Sequence, residues 1–192
     1  MREAEIKRKT NETDIYLKLN LDGQGSADVE TGIGFFDHML VAFATHAKIN
    51  LFIRAKGDIN VDCHHTVEDT GIVLGEAIKL ALGDKKGIAR FSDCFLPMDD
   101  ALAFVALDIS NRSYCRFDAQ FFYKNCGDYE TDSTAEFMKA LAFNANITLH
   151  CSAVYGENDH HITEAIYKAV ARCLKNAITI TGVAIPSSKG KL

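Results

Sequence analysis

The sequence has no tryptophan, only two prolines, and no CxxC pair among its six cysteines. So few prolines, with no low-complexity tract, argue against long disordered linkers. The cysteines stand far apart, at 63, 94, 115, 126, 151 and 173, which favours reduced thiols in a cytoplasmic protein. No stretch approaches the roughly 20 apolar residues that cross a bilayer. The charged segment Met1 to Asn11 has no apolar centre, so neither a membrane anchor nor a secretory signal is expected. A formal charge of −5 supplies no field that would draw the molecule to nucleic acid. Also missing are a P-loop, a dinucleotide fingerprint and a nucleophile elbow, and Gly32-Ile33-Gly34 is too short to count as phosphate-binding. What remains, 192 residues of which 47% are hydrophobic and 24% charged, has enough material for a full core as one domain or two small ones.

The periodicities repeat. Ile15, Leu17, Leu19 and Leu21 alternate with polar neighbours as in a half-buried strand, and a glycine-containing turn then leads into an apolar helix ending near Ala47. Ile49, Leu51, Ile53 and Ala55 alternate again, and a helix is expected from about Thr66 to Leu82. The second half opens with the apolar run Ala101 to Ile109, suited to a buried strand, and Arg116 to Tyr123 reads as another. Ser133 and Glu136 have capping-box spacing before a helix carrying Phe137, Leu141 and Ala145. A strand through Ile147, Leu149 and Cys151 precedes a long helix from about Ile162 to Ile178 with one clean apolar stripe. Each half thus reads strand, helix, strand, motif, helix. The expected architecture is α+β with two pseudo-repeated halves, residues 1–90 and 91–192, each a mixed β-sheet with two helices on one face.

The repeated motif is His64-His65-Thr66-Val67-Glu68 and His160-His161-Ile162-Thr163-Glu164, offset by 96 residues from His64 to His160. On a helix, the first histidine and the glutamate of each motif stack on one face, while the second histidine is rotated by about 100°. Two such motifs on opposed surfaces suit two ions, each adjacent pair being split between them. Imidazole with carboxylate suits Mn, Fe, Co, Ni or Zn, and a site with six ligands and room for substrate fits an octahedral ion such as Mn²⁺ better than a closed zinc site. A lone histidine is usually an ordinary core or surface residue, but two HHxxE motifs in matching places point to metal. Whether that metal is catalytic or structural stays open on these residues, the surplus of ligands favouring chemistry.

Three further histidines are candidates: His38 within the first apolar helix, His46 near its end, and His150 on a strand, aimed away from Leu149. Pro186-Ser187-Ser188-Lys189-Gly190 gathers hydroxyls, backbone N–H groups and an ammonium in one loop, an oxyanion cradle or else a solvated tail. Arg90 and Arg112 lie beside apolar strands and would serve an anion, although pairing with Asp93, Asp99, Asp100 or Asp108 explains them equally well.

Together the segments Thr31 to Leu40 (TGIGFFDHML), Asp62 to Asp69 (DCHHTVED), Pro97-Met98-Asp99, His160 to Ala165 (HHITEA) and Pro186 to Gly190 (PSSKG) resemble the imidazoleglycerol-phosphate dehydratase family, from Lys9 to the C-terminus. The resemblance implies a ribosomal protein S5 domain 2-like fold, and dehydration of D-erythro-imidazoleglycerol phosphate to imidazole acetol phosphate in histidine biosynthesis. The implied route is a metal-bound imidazolate and a diazafulvene-like intermediate. It implies two Mn²⁺ per active site, held by His38, His64, His65, Glu68, His150, His160, His161 and Glu164. It also implies a cytoplasmic homo-oligomer, a 24-mer with active sites at subunit interfaces. Substrate contacts would come from Glu12, the segment His38 to His46, both HHxxE motifs, Arg90, Arg112, Lys168, Ser187, Ser188 and Lys189, with Glu164 as acid/base and Glu68 the runner-up. Three departures from the family pattern stand out. Cys63 occupies a frequent Asp position, Asn111-Arg112-Ser113 replaces Gly-Arg-Pro, and Ser188 replaces a frequent Thr. Cys63 adds a soft atom beside the proposed site.

Overall fold

The computed structural model describes residues 2–192. The first half contains β1 (Glu3–Lys9), β2 (Thr13–Asn20), β3 (Ala27–Glu30), α1 (Gly34–Ala47), β4 (Asn50–Gly57) and α2 (His64–Leu82). The second contains β5 (Phe91–Met98), β6 (Ala101–Asp108), β7 (Tyr114–Asp118), the short pair β8 (Asn125–Cys126) and β9 (Tyr129–Glu130), α3 (Ser133–Ala145), β10 (Thr148–Tyr155) and α4 (Asp159–Ala177). The sheets have matching orders, β1-β2-β4-β3 and β5-β6-β10-β7. In each, a hairpin is followed by a strand–helix–strand crossover that pairs parallel, β3 on β4 and β7 on β10. The two-fold reading of the sequence is therefore a repeat of topology, with more strands per half than the alternation suggested.

The strands without a clear sequence period lie toward the sheet margins. β1 alternates exposed charged residues with Ala4, Ile6 and Arg8, which are only half-buried, so its apolar signal is weak. β5 carries Pro97, tolerated because an edge strand need not donate every ladder hydrogen bond. The strand expected over Arg116 to Tyr123 is instead Tyr114–Asp118, followed by an irregular segment. That segment is tied down by the buried carboxylate of Asp159, which accepts from the N–H groups of Phe122 and Tyr123. The expected capping box is not formed. Asp132 occupies the N-cap of α3, and Ser133 Oγ lies instead 3.5 Å from Cys63 Sγ.

Helices α2 and α4 cover the inner faces of their own sheets, while α1 packs on α4 and α2 on α3. The helical layer of one half thus faces that of the other, with the sheets outside. One continuous apolar core runs through both halves, from Ile15, Leu17 and Ile53 to Val105, Leu149 and Ile166. The α2–α3 crossing is close because Gly71 and Gly75 present bare backbone to Phe137 and Leu141. A Cβ on Gly75 would stand 2.7 Å from the Leu141 carbonyl oxygen. Phe36, Phe137, Tyr129 and Tyr167 form a buried aromatic cluster, with Phe36 stacked on Tyr129, Phe137 stacked on Tyr167 and Phe36 edge-on to Phe137. The Tyr129 hydroxyl there meets those of Tyr167 at 3.2 Å and Thr134 at 3.1 Å.

Candidate metal centre and anion cradle

The second HHxxE motif opens α4. Asn158, in extended backbone, caps the helix by accepting from the N–H groups of His160 and His161. Helical stacking then sets His160 Nε2 3.2 Å from Glu164 Oε2. The α1–α4 packing brings His38 to the same carboxylate, its Nε2 3.8 Å from Glu164 Oε2. His38, His160 and Glu164 each offer a ligand atom within 4.8 Å of the others, the one such grouping among the described residues. Phe35 packs edge-on against the His160 ring, with centroids 4.9 Å apart. Glu164 is buried, which pushes its carboxyl up, but Lys168, 2.6 Å from Oε1, together with His38 and His160, outweighs burial and holds it below the ordinary value.

The first motif opens α2 without a side-chain cap from its N-cap residue, Cys63; the His64 N–H donates instead to Asp62 Oδ1 at 2.8 Å. His64 Nε2 lies 3.5 Å from Glu68 Oε2, both half-exposed. His65 points elsewhere: its Nδ1 contacts both oxygens of Asp58, at 3.2 and 3.1 Å, and its Nε2 lies 3.9 Å from Glu12 Oε1. Asp58 raises the His65 pKa. His161 is the counterpart, its Nδ1 2.5 Å from Asp100 Oδ1. That hydrogen bond, with the N–H groups of Glu157 and Asn158, holds the Asp100 carboxyl far below the usual range. Cys63 Sγ, the soft atom beside the motif, accepts from the Glu130 N–H and faces Ser133 within buried structure.

The remaining candidates are dispersed. His46 sits in the last turn of α1, where burial and the nearby cations Lys168 and Arg172 lower its pKa. His150 lies on the outer face of β10, opposite to the buried Leu149 and Cys151 that meet the helices. There it lines a cavity with Phe91, Asp93, Asp108 and Thr148, so the fold keeps it apart from both HHxxE motifs within the chain. A position missed in the sequence emerges from the topology. α1 and α3 both end in left-handed C-caps, at Lys48 and Asn146, and His38 and Glu136 each lie ten residues before their cap. Glu136 is thus the second-half counterpart of His38, on the helix packed against α2. The usable signal was the strand–helix–strand repeat rather than the motif spacing, because the two offsets differ.

Arg90, Ser110, Asn111, Arg112, Ser187, Ser188 and Lys189 line one cavity of about 530 Å³. Arg90 is held rigidly, its Nε and Nη2 donating to the two oxygens of Asp108 at 2.7 and 3.2 Å and its Nη1 to the Pro186 carbonyl at 2.9 Å. Arg112 is largely exposed, 3.8 Å from the same Asp108. Pairing with Asp108, one of the explanations open from sequence, thus accounts for Arg90 and leaves Arg112 and Lys189 the freer cations. The backbone N–H of Arg90 donates to Ala177 at the end of α4. Ala177 lies thirteen residues beyond Glu164 on the helix, so the cradle stands about 20 Å along it from the trio.

The sequence profile of imidazoleglycerol-phosphate dehydratase matches residues 31–174. The chain belongs to the imidazoleglycerol-phosphate dehydratase family. It is an enzyme, a dehydratase (a carbon–oxygen lyase) of histidine biosynthesis. The Methanosarcina mazei member is 55% identical over 192 residues, with all of both chains covered. The Acetivibrio thermocellus member is 55% identical over 176 residues, covering 92% of this chain and 90% of that one. Among solved structures, imidazoleglycerol-phosphate dehydratase from Staphylococcus aureus superposes with a TM-score of 0.85 at 36% identity, covering 93% of this chain and 99% of that one. The Pyrococcus furiosus enzyme in complex with (S)-C348 gives 0.82 at 34% identity, covering 97% and 100%. The fold is thus the family's, α+β in two pseudo-repeated halves. No helix among the described residues is long and apolar enough to cross a membrane.

Proposed function

We propose that the chain converts imidazoleglycerol phosphate to imidazole acetol phosphate in the cytoplasm, using two Mn²⁺ ions in sites shared between copies of itself. The observation that carries the reading is the convergence of His38, His160 and Glu164 from two helices of different halves. These donors fit the ion. Two imidazole nitrogens and a carboxylate oxygen make a borderline-to-hard set, with no thiolate turned toward it, and three donors leave positions open for substrate. By the repeat, His64, Glu68 and Glu136 form the second set, while His65 and His161, turned away from the carboxylate of their own motif, serve sites completed by other copies.

When bound, the ions supply Lewis acidity that favours the deprotonated imidazole ring, which substitutes for the carbonyl that an ordinary elimination needs. The chain's residues do the rest. Arg112, Lys189 and the Ser187 and Ser188 hydroxyls grip the phosphate, with Arg90 fixed behind them by Asp108. Glu164, ionised at the outset, takes the C2 proton, which leaves with the C3 hydroxyl as water, and the enol so formed gives up its O–H proton and gains one at C3 from solvent to become the ketone. Lys168 on its other oxygen keeps it ionised between turnovers. Glu68, more exposed and without an ammonium, is the second candidate for that role.

Assembly is supported by the distance between the two halves of the site. One imidazole ring on a three-carbon phosphate does not span the length of α4 between trio and cradle, so a working site combines the trio of one copy with the cradle of another. Exposed Phe91 and Phe95 on the outer face of the second sheet give apolar surface for such contacts. We adopt a 24-mer as the assembly size.

The test is product formation by metal-stripped protein with and without added Mn²⁺, followed by absorbance of the enolised ketone in alkali. Metal-dependent ketone supports the reading. Ketone formed equally well without metal would overturn the manganese dependence, and Mn²⁺ bound with no gain in ketone would leave the metal outside the reaction.

A further inference from the structure

We propose that Asp100 and Asp58 are positioning residues that set the tautomer of His161 and His65, the second histidine of each HHxxE motif, so that Nε2 is the ring nitrogen left for the metal. The inference rests on the metal-dependent reading above. A carboxylate has no proton to give, so the 2.5 Å contact between Asp100 Oδ1 and His161 Nδ1 requires the ring to donate from Nδ1. A neutral imidazole carries one N–H, and its lone pair then resides on Nε2. The same holds for His65, whose Nδ1 lies 3.2 and 3.1 Å from the two oxygens of Asp58. The Nε2 atoms are uncommitted: the closest carboxylate oxygens are 3.6 Å away at Asp99 for His161 and 3.9 Å away at Glu12 for His65, beyond hydrogen-bond length.

Asp100 is itself fixed. Its Oδ2 accepts from the N–H groups of Glu157 at 2.6 Å and Asn158 at 3.0 Å, and Asn158 in turn caps the helix that carries the motif. Carboxylate, cap and histidine therefore form one rigid unit that aims the ring. The two halves reach this arrangement from non-equivalent places. Asp100 is the last residue before β6, and the corresponding residue before β2 is Glu12, which faces Nε2 of His65 rather than Nδ1. The Nδ1 contact in the first half comes instead from Asp58, just after β4. Duplication alone would have placed equivalent residues there. The same contact reached twice from different segments points to a requirement of the histidines themselves, that of a carboxylate orienting a metal-binding imidazole.

The decisive variant is Asp100→Asn. The amide oxygen can still accept from Glu157 and Asn158, but its NH₂ donates to Nδ1 and forces the proton onto Nε2, removing the lone pair. In ¹⁵N spectra of histidine-labelled, metal-free protein, His161 should switch from the Nδ1–H to the Nε2–H form. Mn²⁺ affinity by equilibrium dialysis should fall about 10–100-fold, with partial recovery in Asp100→Glu. Asp58→Asn should do the same to His65. Because the Asp58 carboxylate holds no backbone N–H, that variant carries the test if Asp100→Asn fails to fold by circular dichroism. Unchanged tautomers and wild-type Mn²⁺ affinity in the folded variants would overturn the proposal while leaving the metal reading intact. Wild-type protein that binds no Mn²⁺ would overturn both.

Discussion

Lys168 and Glu164, one helical turn apart on α4, are joined by a 2.6 Å ion pair in which the ammonium occupies one carboxylate oxygen and leaves the other facing His160 and His38. The pair holds Glu164 ionised despite its burial. A carboxyl whose value is lowered by folding stabilises the fold fully above its unfolded value, about 4.5, and loses that contribution as pH falls through the lower folded value. Replacing Lys168 by Met leaves burial unopposed on that side. The midpoint of acid unfolding of the metal-free protein, followed by circular dichroism, should therefore move to higher pH. An unmoved midpoint would mean that the ammonium is not what holds Glu164 charged.

Glu164→Gln keeps the shape and the contact with His160 but cannot carry the transferred proton. The assembly, measured by light scattering, should be unchanged, and turnover should fall at least about 100-fold. Retained turnover would shift the acid/base role to Glu68, for which Glu68→Gln is the matching variant.

If each working site combines the trio of one copy with the cradle of another, two inactive variants should rescue each other. His160→Ala breaks the trio and Arg112→Ala removes one of the two freer cations of the cradle. Dissociated, mixed and reassembled, the two should recover a sizeable share of wild-type activity, because some sites then draw both intact parts from different chains. Absence of recovery in assemblies shown to be mixed would place trio and cradle in one chain's site.

Gly75 is the close-approach point of α2 on α3. On an exposed helix, Gly→Ala stabilises by up to about 1 kcal/mol. Here the new methyl would meet the Leu141 carbonyl at 2.7 Å and Asn144 Cβ at 2.8 Å. Gly75→Ala should instead destabilise by about 1–3 kcal/mol in denaturant unfolding. A stabilised variant would mean that the two helices move apart freely.

The helices, the central strands and the pairing of two halves could be read from the chain because each rests on a local period. Ile15 to Leu21 alternates, α4 carries one apolar stripe, and HHxxE recurs at helix starts where i and i+4 must share a face. Margin strands such as β1 bury too little on either face to leave such a period. The partners of each histidine were beyond sequence for a different reason. His38 meets Glu164 because α1 packs on α4, and Asp100 meets His161 across 61 residues because a hairpin turn comes to rest beside a helix cap. His150, a ligand by resemblance, stands on the outer face of β10, where the pleat turns it away from the helices of its own chain. Residue type and spacing in the chain thus set which groups are available and which share a helix face. Which of them meet depends on how helices and turns distant in sequence pack together, since that packing is driven by the burial of apolar surface away from the site.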